Sequence, residues 1–264
     1  MRTAAILPVK RFSEAKQRLG QSVADPLRRD LARAMAGDVL SALRDCAALE
    51  RTIVVTREEP VAAAARYLGA IVVPDTAEAG QSAAVALGIE RALAEGFAQV
   101  LCIPGDCPAL DPGEVATLLE APPTGAAEVV IVPDRHGTGT NGLLLTPPGA
   151  IPPSFGPGSC KRHRRLSREA GVTCRVERVP SLLLDIDTGE DLAALRERLT
   201  GEPRAGARRT RKVLGTAANH PEHPSHDAQI LARTGPDSEL AGLAEHAVSL
   251  PSELTPPRPV PPGG

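Results

Sequence analysis

Aromatic side chains are nearly missing: three Phe, one Tyr and no Trp in 264 residues. A platform that stacks single-stranded bases has almost nothing to be made from. An excess of one charge is missing too. Lys and Arg total 30 against 32 Asp and Glu, a formal net charge of −2, which argues against a polybasic nucleic-acid binder and a mostly solvated acidic chain alike. No apolar run approaches the roughly 18 residues that a bilayer span needs, and the N-terminus enters a short strand-like run instead of a signal peptide. Five cysteines, an odd number with no C-x-x-C pair, fit a reducing compartment better than a disulfide framework. The loop after the first apolar run carries neither G-x-x-x-x-G-K-[ST] nor G-x-G-x-x-G, so it is not one of those two phosphate-binding loops. What is present is a hydrophobic fraction of 42%, rich in Ala, Leu and Val and sufficient for a core. These features predict a soluble, cytoplasmic protein without a nucleic-acid or membrane partner.

The length allows one large domain or a domain with an appendage, and composition shifts near residue 200. Ten of the 26 prolines fall at or after Pro203. The last 64 residues have 7 Lys/Arg, 7 Asp/Glu and no aromatic residue. So little to bury cannot offset ordering entropy, which predicts a domain over 1–199 and a disordered tail over 200–264. Within the tail, Arg208, Arg209, Arg211 and Lys212 form a basic cluster, and His220, His223 and His226 recur at every third residue. Both are expected to be solvated. Prolines at 221 and 224 keep the histidines off a regular helix face.

The first 199 residues alternate strand and helix signals. Strands are predicted at Thr3–Val9, Thr52–Thr56, Ala70–Val73, Gln99–Ile103, Glu128–Val132, Gly142–Thr146 and Val172–Val179. Helices are predicted after Asp25 as N-cap and Pro26 at the first helical position (Leu27, Leu31, Met35, Val39 and Leu43 at helical spacing), at Pro60–Leu68, Ser82–Leu93, Asp111–Glu120, Cys160–Ala170 and from about Gly189 to Leu199. Runs such as TIVV, VLCI and EVVIV lack polar alternation, as parallel strands covered on both faces do. The fold class is therefore α/β, helices flanking a mostly parallel sheet. Ligands of such sheets bind beyond the carboxyl ends of the strands.

The residues in those places bear chemistry. After the first strand, PVKRFSEAKQRL carries Lys10 and Lys16 near a helix start; they could cradle a polyphosphate or be solvated charges. After VLCI comes PGDCPALD, where Asp106 could hold a metal or cap the loop, although Asp111 before Pro112 already suits the capping role. Cys102 and Cys107 lack metal-site spacing and read as packing residues. After VVIVPD, the loop RHGTGTNGLLL is rich in backbone and hydroxyl donors around Thr140 and suits a phosphate or carboxylate, or is an ordinary turn. FGPGS then opens a helix with Ser159 as expected N-cap. Lys161, Arg162 and Arg164 follow, cations that oppose the helix dipole unless an anion sits there, and Gly156 and Gly158 let the backbone approach one. In SLLLDIDTGEDL, Asp185 and Asp187 stand two apart in a segment expected to be extended, facing one way. Asp191 is expected in the first turn of the next helix. Asp185 and Asp187 would repel unless a divalent cation or a basic group sat between them. With Asp106 they make three carboxylates, enough for a two-metal site, and Mg²⁺ takes one or two carboxylates and completes its shell with phosphates and water.

Taken in order, PVKRFSEAKQRL, PGDCPAL, GTGTN, FGPGSCKRH and LDIDTGEDL resemble the guanylyltransferases of deazaflavin coenzyme F-420 biosynthesis. That family covers 2-phospho-L-lactate guanylyltransferase and its phosphoenolpyruvate-using relatives. The resemblance spans residues 1–199. It implies a Rossmann-like nucleotidyltransferase fold, a GT-A-like three-layer sandwich related to the molybdenum-cofactor guanylyltransferases. It further implies that Thr140, Gly156 and Ser159 hold a phosphorylated three-carbon acid, that Asp106, Asp185 and Asp187 bind Mg²⁺, and that Lys10 and Lys16 face the triphosphate of GTP. Where the family usually has G-L-N-A-A, this chain has Gly80-Gln81-Ser82-Ala83-Ala84, bordering the nucleotide site, so base preference is the property this departure touches.

The residue types agree with that chemistry. A phosphate monoester is largely dianionic at pH 7, its second pKa being roughly 6, so it needs no general base to attack a phosphorus. The reaction instead needs alignment and charge neutralisation. Phosphoenolpyruvate, 2-phospho-L-lactate and 3-phosphoglycerate all remain open as acceptors. So do a molybdopterin or sugar-phosphate nucleotidyltransferase and a non-catalytic nucleotide-binding protein.

Overall fold

The computed structural model of the protein describes residues 1–12, 19, 23–122, 125–202 and 206–218, all within one compact unit, Met1–Pro221. Lys16 and the three tail histidines lie outside the described residues. The described part of the chain holds seven strands and seven α-helices. They run β1 (Thr3–Val9), α1 (Asp25–Asp45), β2 (Arg51–Thr56), α2 (Glu59–Tyr67), β3 (Ile71–Pro74), α3 (Gln81–Ala94), β4 (Gln99–Cys102) and α4 (Pro112–Glu120). They continue with β5 (Glu128–Pro133), β6 (Thr140–Thr146), α5 (Ser159–Glu169), β7 (Thr173–Val176), α6 (Gly189–Gly201) and α7 (Arg208–Ala218). The strands form one sheet in the order β3-β2-β1-β4-β6-β5-β7. Every pairing is parallel except those of β6, which runs antiparallel to β4 and β5.

Alternation along each strand builds two cores. Ala5, Leu7, Val54, Leu101 and Val130 point to the face covered by Val39 and Leu43 of α1, Val61 of α2 and Val115 of α4. Ala4, Ile6, Ile53, Val100 and Ile131 point to the other face, under Val85 and Ile89 of α3 and Cys160 of α5. β1, β4, β5 and β6 are buried along their whole lengths. The expected three-layer α/β sandwich is what these residues form. The five cysteines are free thiols, and Cys102 and Cys107 sit in the two cores.

A third cluster corrects the domain boundary. Leu31 and Met35 of α1 pack with Ile186, with Leu192, Leu195 and Leu199 of α6, and with Val213 and Leu214 of α7. The ordered chain therefore continues past residue 199, and residues 208–218 are a docked helix rather than a disordered tail. The device is a carboxylate from another helix. Buried Asp38 of α1 accepts the backbone N–H groups of Arg209 at 3.0 Å and Thr210 at 2.8 Å, satisfying orphan donors at the start of α7. Nor is the basic cluster wholly solvated. The Arg209 guanidinium donates to Gly37 O and Ser41 Oγ, and that of Arg211 to Leu199 O and Glu202 O.

Two expected caps also differ. Ala24, not Asp25, precedes α1 and makes no side-chain cap, while Asp25 is the first helical residue and pairs with Arg28 at 2.8 Å. Gly158, in the left-handed conformation (φ 73°), is the N-cap of α5, so Ser159 is its first helical residue.

Candidate active site

A cleft of about 650 Å³ opens at the carboxyl edge of β1, β4 and β5. Because β6 is antiparallel, its first residue, Thr140, arrives at this same edge. Seven of the nine residues expected to bear function line the cleft: Lys10, Asp106, Thr140, Gly156, Ser159, Asp185 and Asp187. Gly80 does not line it; it is the N-cap of α3 at φ 98°, and its neighbour Gln81 does line the cleft. Lys16, the ninth, is outside the described residues.

The carboxylate side is assembled by backbone ties. Ile186 is fully buried among the third cluster, and its N–H donates to Asp106 O at 3.1 Å. This bond pins the strand-end aspartate to the Asp185–Asp187 segment. Residues 180–182 form a 3₁₀ turn and the segment after it is irregular. Even so, Asp185 and Asp187 flank the inward-pointing Ile186 and both meet the cleft, as the i, i+2 argument requires. Burial, followed by the charge of Asp106, raises the Asp185 carboxyl above the ordinary range, with Asp187 adding to it, while a hydrogen bond from Asn141 opposes the shift. That bond runs from Asn141 Nδ2 to Asp185 Oδ1 at 3.1 Å. Like charges gathered in a half-buried place suit a cation. Among the described residues, however, no three His, Cys, Asp or Glu side chains are grouped tightly enough to hold an ion on their own.

Asp191 stands in the first turn of α6, as expected, and closes a capping box with Thr188. Its Oδ2 also accepts the Asp187 N–H at 3.1 Å, and its Oδ1 pairs with Arg135 at 2.6 Å. The turn carrying Asp187 is thereby fixed.

The opposite wall is less open to an anion than its composition suggests. Two backbone donors of the GTGT loop are already occupied, since Asp134 accepts the N–H groups of Thr138 and Gly139, each at 2.9 Å. At the start of α5, the Ser159 and Cys160 N–H groups donate to Gly156 O and Thr138 O. Arg162 does not await a ligand either. Its guanidinium donates to Ser154 O at 3.1 Å, Phe155 O at 2.8 Å and the carbonyl of Pro157, so its charge near the helix start is offset by loop carbonyls. What the wall presents to the cleft is Thr140, Gly156 (φ 101°) and Ser159 on a stapled loop.

Several positioning residues were not identified from sequence. Asn141 donates to Leu182 O and Asp185; the visible signal was a single polar residue entering the apolar strand NGLLL. His163 touches Thr140 and the loop. Ser159, His163 and Ser167, all buried at four-residue spacing, form a polar stripe on an inward helix face that could have flagged it. Ser82, in the segment departing from G-L-N-A-A, accepts the Phe155 N–H at 2.8 Å. It ties the start of α3 to the FGPGS loop.

Comparison with known proteins gives a consistent set of relatives. The family model described as guanylyl transferase CofC like matches residues 3–226. A phosphoenolpyruvate guanylyltransferase of Conexibacter woesei is 49% identical over 214 residues, 81% of this chain and 96% of that protein. One of Rubrobacter xylanophilus is 43% identical over 196 residues, 74% of this chain and 94% of that protein. Among solved structures, a nucleotidyl transferase from Methanothermobacter thermautotrophicus superposes with a TM-score of 0.55 at 20% identity, over 75% of this chain and 98% of that one, a likeness of fold.

Proposed function

Because the chain belongs to the CofC-like guanylyl transferase family, we propose that it transfers GMP from GTP to phosphoenolpyruvate and releases pyrophosphate, a step in coenzyme F-420 biosynthesis. The naming of relatives at 49% and 43% identity supports phosphoenolpyruvate over 2-phospho-L-lactate. The observation that carries the reading is the cleft itself. Lys10 and the aspartates 106, 185 and 187 meet Thr140, Gly156 and Ser159 across one opening at the strand ends.

In this reading a phosphate oxygen of phosphoenolpyruvate forms a bond to the α-phosphorus of GTP. The bond from that phosphorus to the bridging oxygen breaks, and its electron pair leaves on pyrophosphate. The acceptor phosphate is already dianionic, so the protein's task is to align two anions and reduce their repulsion. Lys10, and Lys16 beyond the described residues, would face the triphosphate. Thr140, Gly156 and Ser159 would hold the acid, and the Gly80–Gln81 start of α3 would border the nucleotide. Asp106, Asp185 and Asp187 would hold Mg²⁺, which supplies charge neutralisation for both phosphate groups. The mutual repulsion at Asp185 is the feature that fits such an ion. Such an ion would complete its shell with substrate phosphates and water.

The test is continuous pyrophosphate detection with GTP, phosphoenolpyruvate and Mg²⁺. The wild-type protein is expected to turn over, and Asp106→Ala and Asp187→Ala to abolish release while leaving the far-ultraviolet circular dichroism unchanged. Normal turnover by either variant contradicts the metal assignment.

A further inference from the structure

His163 is a fully buried titratable side chain behind Thr140 of the cleft wall, and the reaction outlined above makes no use of it. It is not a proton carrier, because both ring nitrogens are engaged within the fold. The Ser154 N–H points at Nε2 from 2.9 Å, and a backbone amide can only donate. Nε2 therefore carries a lone pair, and the proton of the neutral ring resides on Nδ1. Nδ1 lies 3.1 Å from Thr140 Oγ1. With its own proton on that side, the ring donates and the threonine hydroxyl accepts. The environment keeps the ring neutral: burial and the nearby Arg162 guanidinium lower its pKa to about 4.

The consequence falls on Thr140. A hydroxyl has one proton to give, and here the imidazole does not take it. The Thr138 and Gly139 N–H groups of the same loop go to Asp134. Thr140 Oγ1 is thus a donor this loop retains at the cleft wall. We infer that His163 is a positioning residue for the acceptor substrate: by donating from Nδ1 it orients the Thr140 hydroxyl to give its proton to an anionic oxygen of the phosphorylated acid. The same ring receives Ser154 N–H and contacts Phe155 edge-on at 5.2 Å between centroids, so one side chain sets both the hydroxyl and the loop that carries Gly156. This inference rests on the assignment of Thr140 to the acid.

Two variants separate the ring's two roles. In His163→Gln the longer amide reaches the position of Nε2 and can still accept from Ser154, but offers no donor to Thr140. In His163→Asn the shorter amide reaches the position of Nδ1 and restores that donor. His163→Gln is expected to raise KM for phosphoenolpyruvate about tenfold, the weight of one hydrogen bond to a charged group, with KM for GTP unchanged. His163→Asn is expected to recover most of that loss. Thr140→Val is expected to lose as much as the Thr140→Val/His163→Gln pair, since His163 acts through Thr140. Additive losses, or an unchanged acid KM in folded His163→Gln, overturn the inference. Should the variants not fold, ¹⁵N-histidine spectra of the wild-type chain at neutral pH decide it: the Nδ1–H tautomer at His163 supports the inference and the Nε2–H tautomer overturns it. A wild-type protein that ignores phosphoenolpyruvate would defeat the functional proposal instead, leaving the tautomer measurement to stand alone.

Discussion

At the scale of single residues, the cleft sets groups against their ordinary preferences. Asp185 is a carboxylate beside two others, raised by burial and by its neighbours' charge. His163 is an imidazole kept neutral by its surroundings, with its pKa lowered to about 4. The second has a measurable signature. The folded ring has a lower pKa than the ordinary 6.5, so in that interval the unfolded chain binds the extra proton and stability falls as pH drops from 6.5 to 4. The shift corresponds to roughly 3 kcal/mol once both pKa values are passed. Urea denaturation of wild type and His163→Gln at pH 7.5 and pH 4.5 should show a steeper loss in the wild type. Equal losses would contradict the burial argument. The three aspartates were legible in sequence because each lies at the end of an apolar run, where short-range pattern is enough. The role of His163 was not legible, because it depends on Thr140, 23 positions away, and on a backbone amide whose direction only the folded loop defines.

At the scale of elements, two contacts decide how the layers close. α3 crosses β1 at Gly88, where an added Cβ would stand 2.4 Å from Ile6 Cγ2. Ile6 is fully buried in the sheet and has no room to withdraw. Gly88→Ala is therefore expected to cost about 1–3 kcal/mol by overpacking, despite alanine's better helix propensity, as read from the shift in the urea midpoint. A neutral or stabilising result would mean α3 can lift from the sheet. The second contact is Asp38 at the start of α7. Asp38→Ala removes the acceptor of two backbone donors and should destabilise by about 1–2 kcal/mol. Hydrogen exchange should then show faster opening of residues 208–218 than of the sheet. Most strands and helices were readable from periodicity. α7 was not, because a composition averaged over the last 64 residues dilutes Val213 and Leu214, and its cap is supplied by a residue 171 positions earlier. The Ser159 cap was misplaced by one residue because Gly158 takes up the left-handed turn that ends the loop.

For the molecule as a whole, the scarcity of aromatics and the balance of charge take on definite meaning. A net charge of −2 averages over local opposites, with aspartates on one wall of the cleft and Lys10 near them at the end of β1. Three Phe and one Tyr leave polar and backbone groups to recognise a base, and Ser82, which replaces the family's usual asparagine, is committed to the Phe155 N–H. Among the described residues no helix is long and apolar enough to cross a membrane. The most direct test of the central claim is a pyrophosphate-release assay crossing GTP, ATP and CTP with phosphoenolpyruvate, 2-phospho-L-lactate and 3-phosphoglycerate in the presence of Mg²⁺. The account predicts fastest turnover with GTP and phosphoenolpyruvate, and none once the divalent ion is chelated. Turnover undiminished by chelation, or no turnover with GTP and any of the three acids, would contradict it.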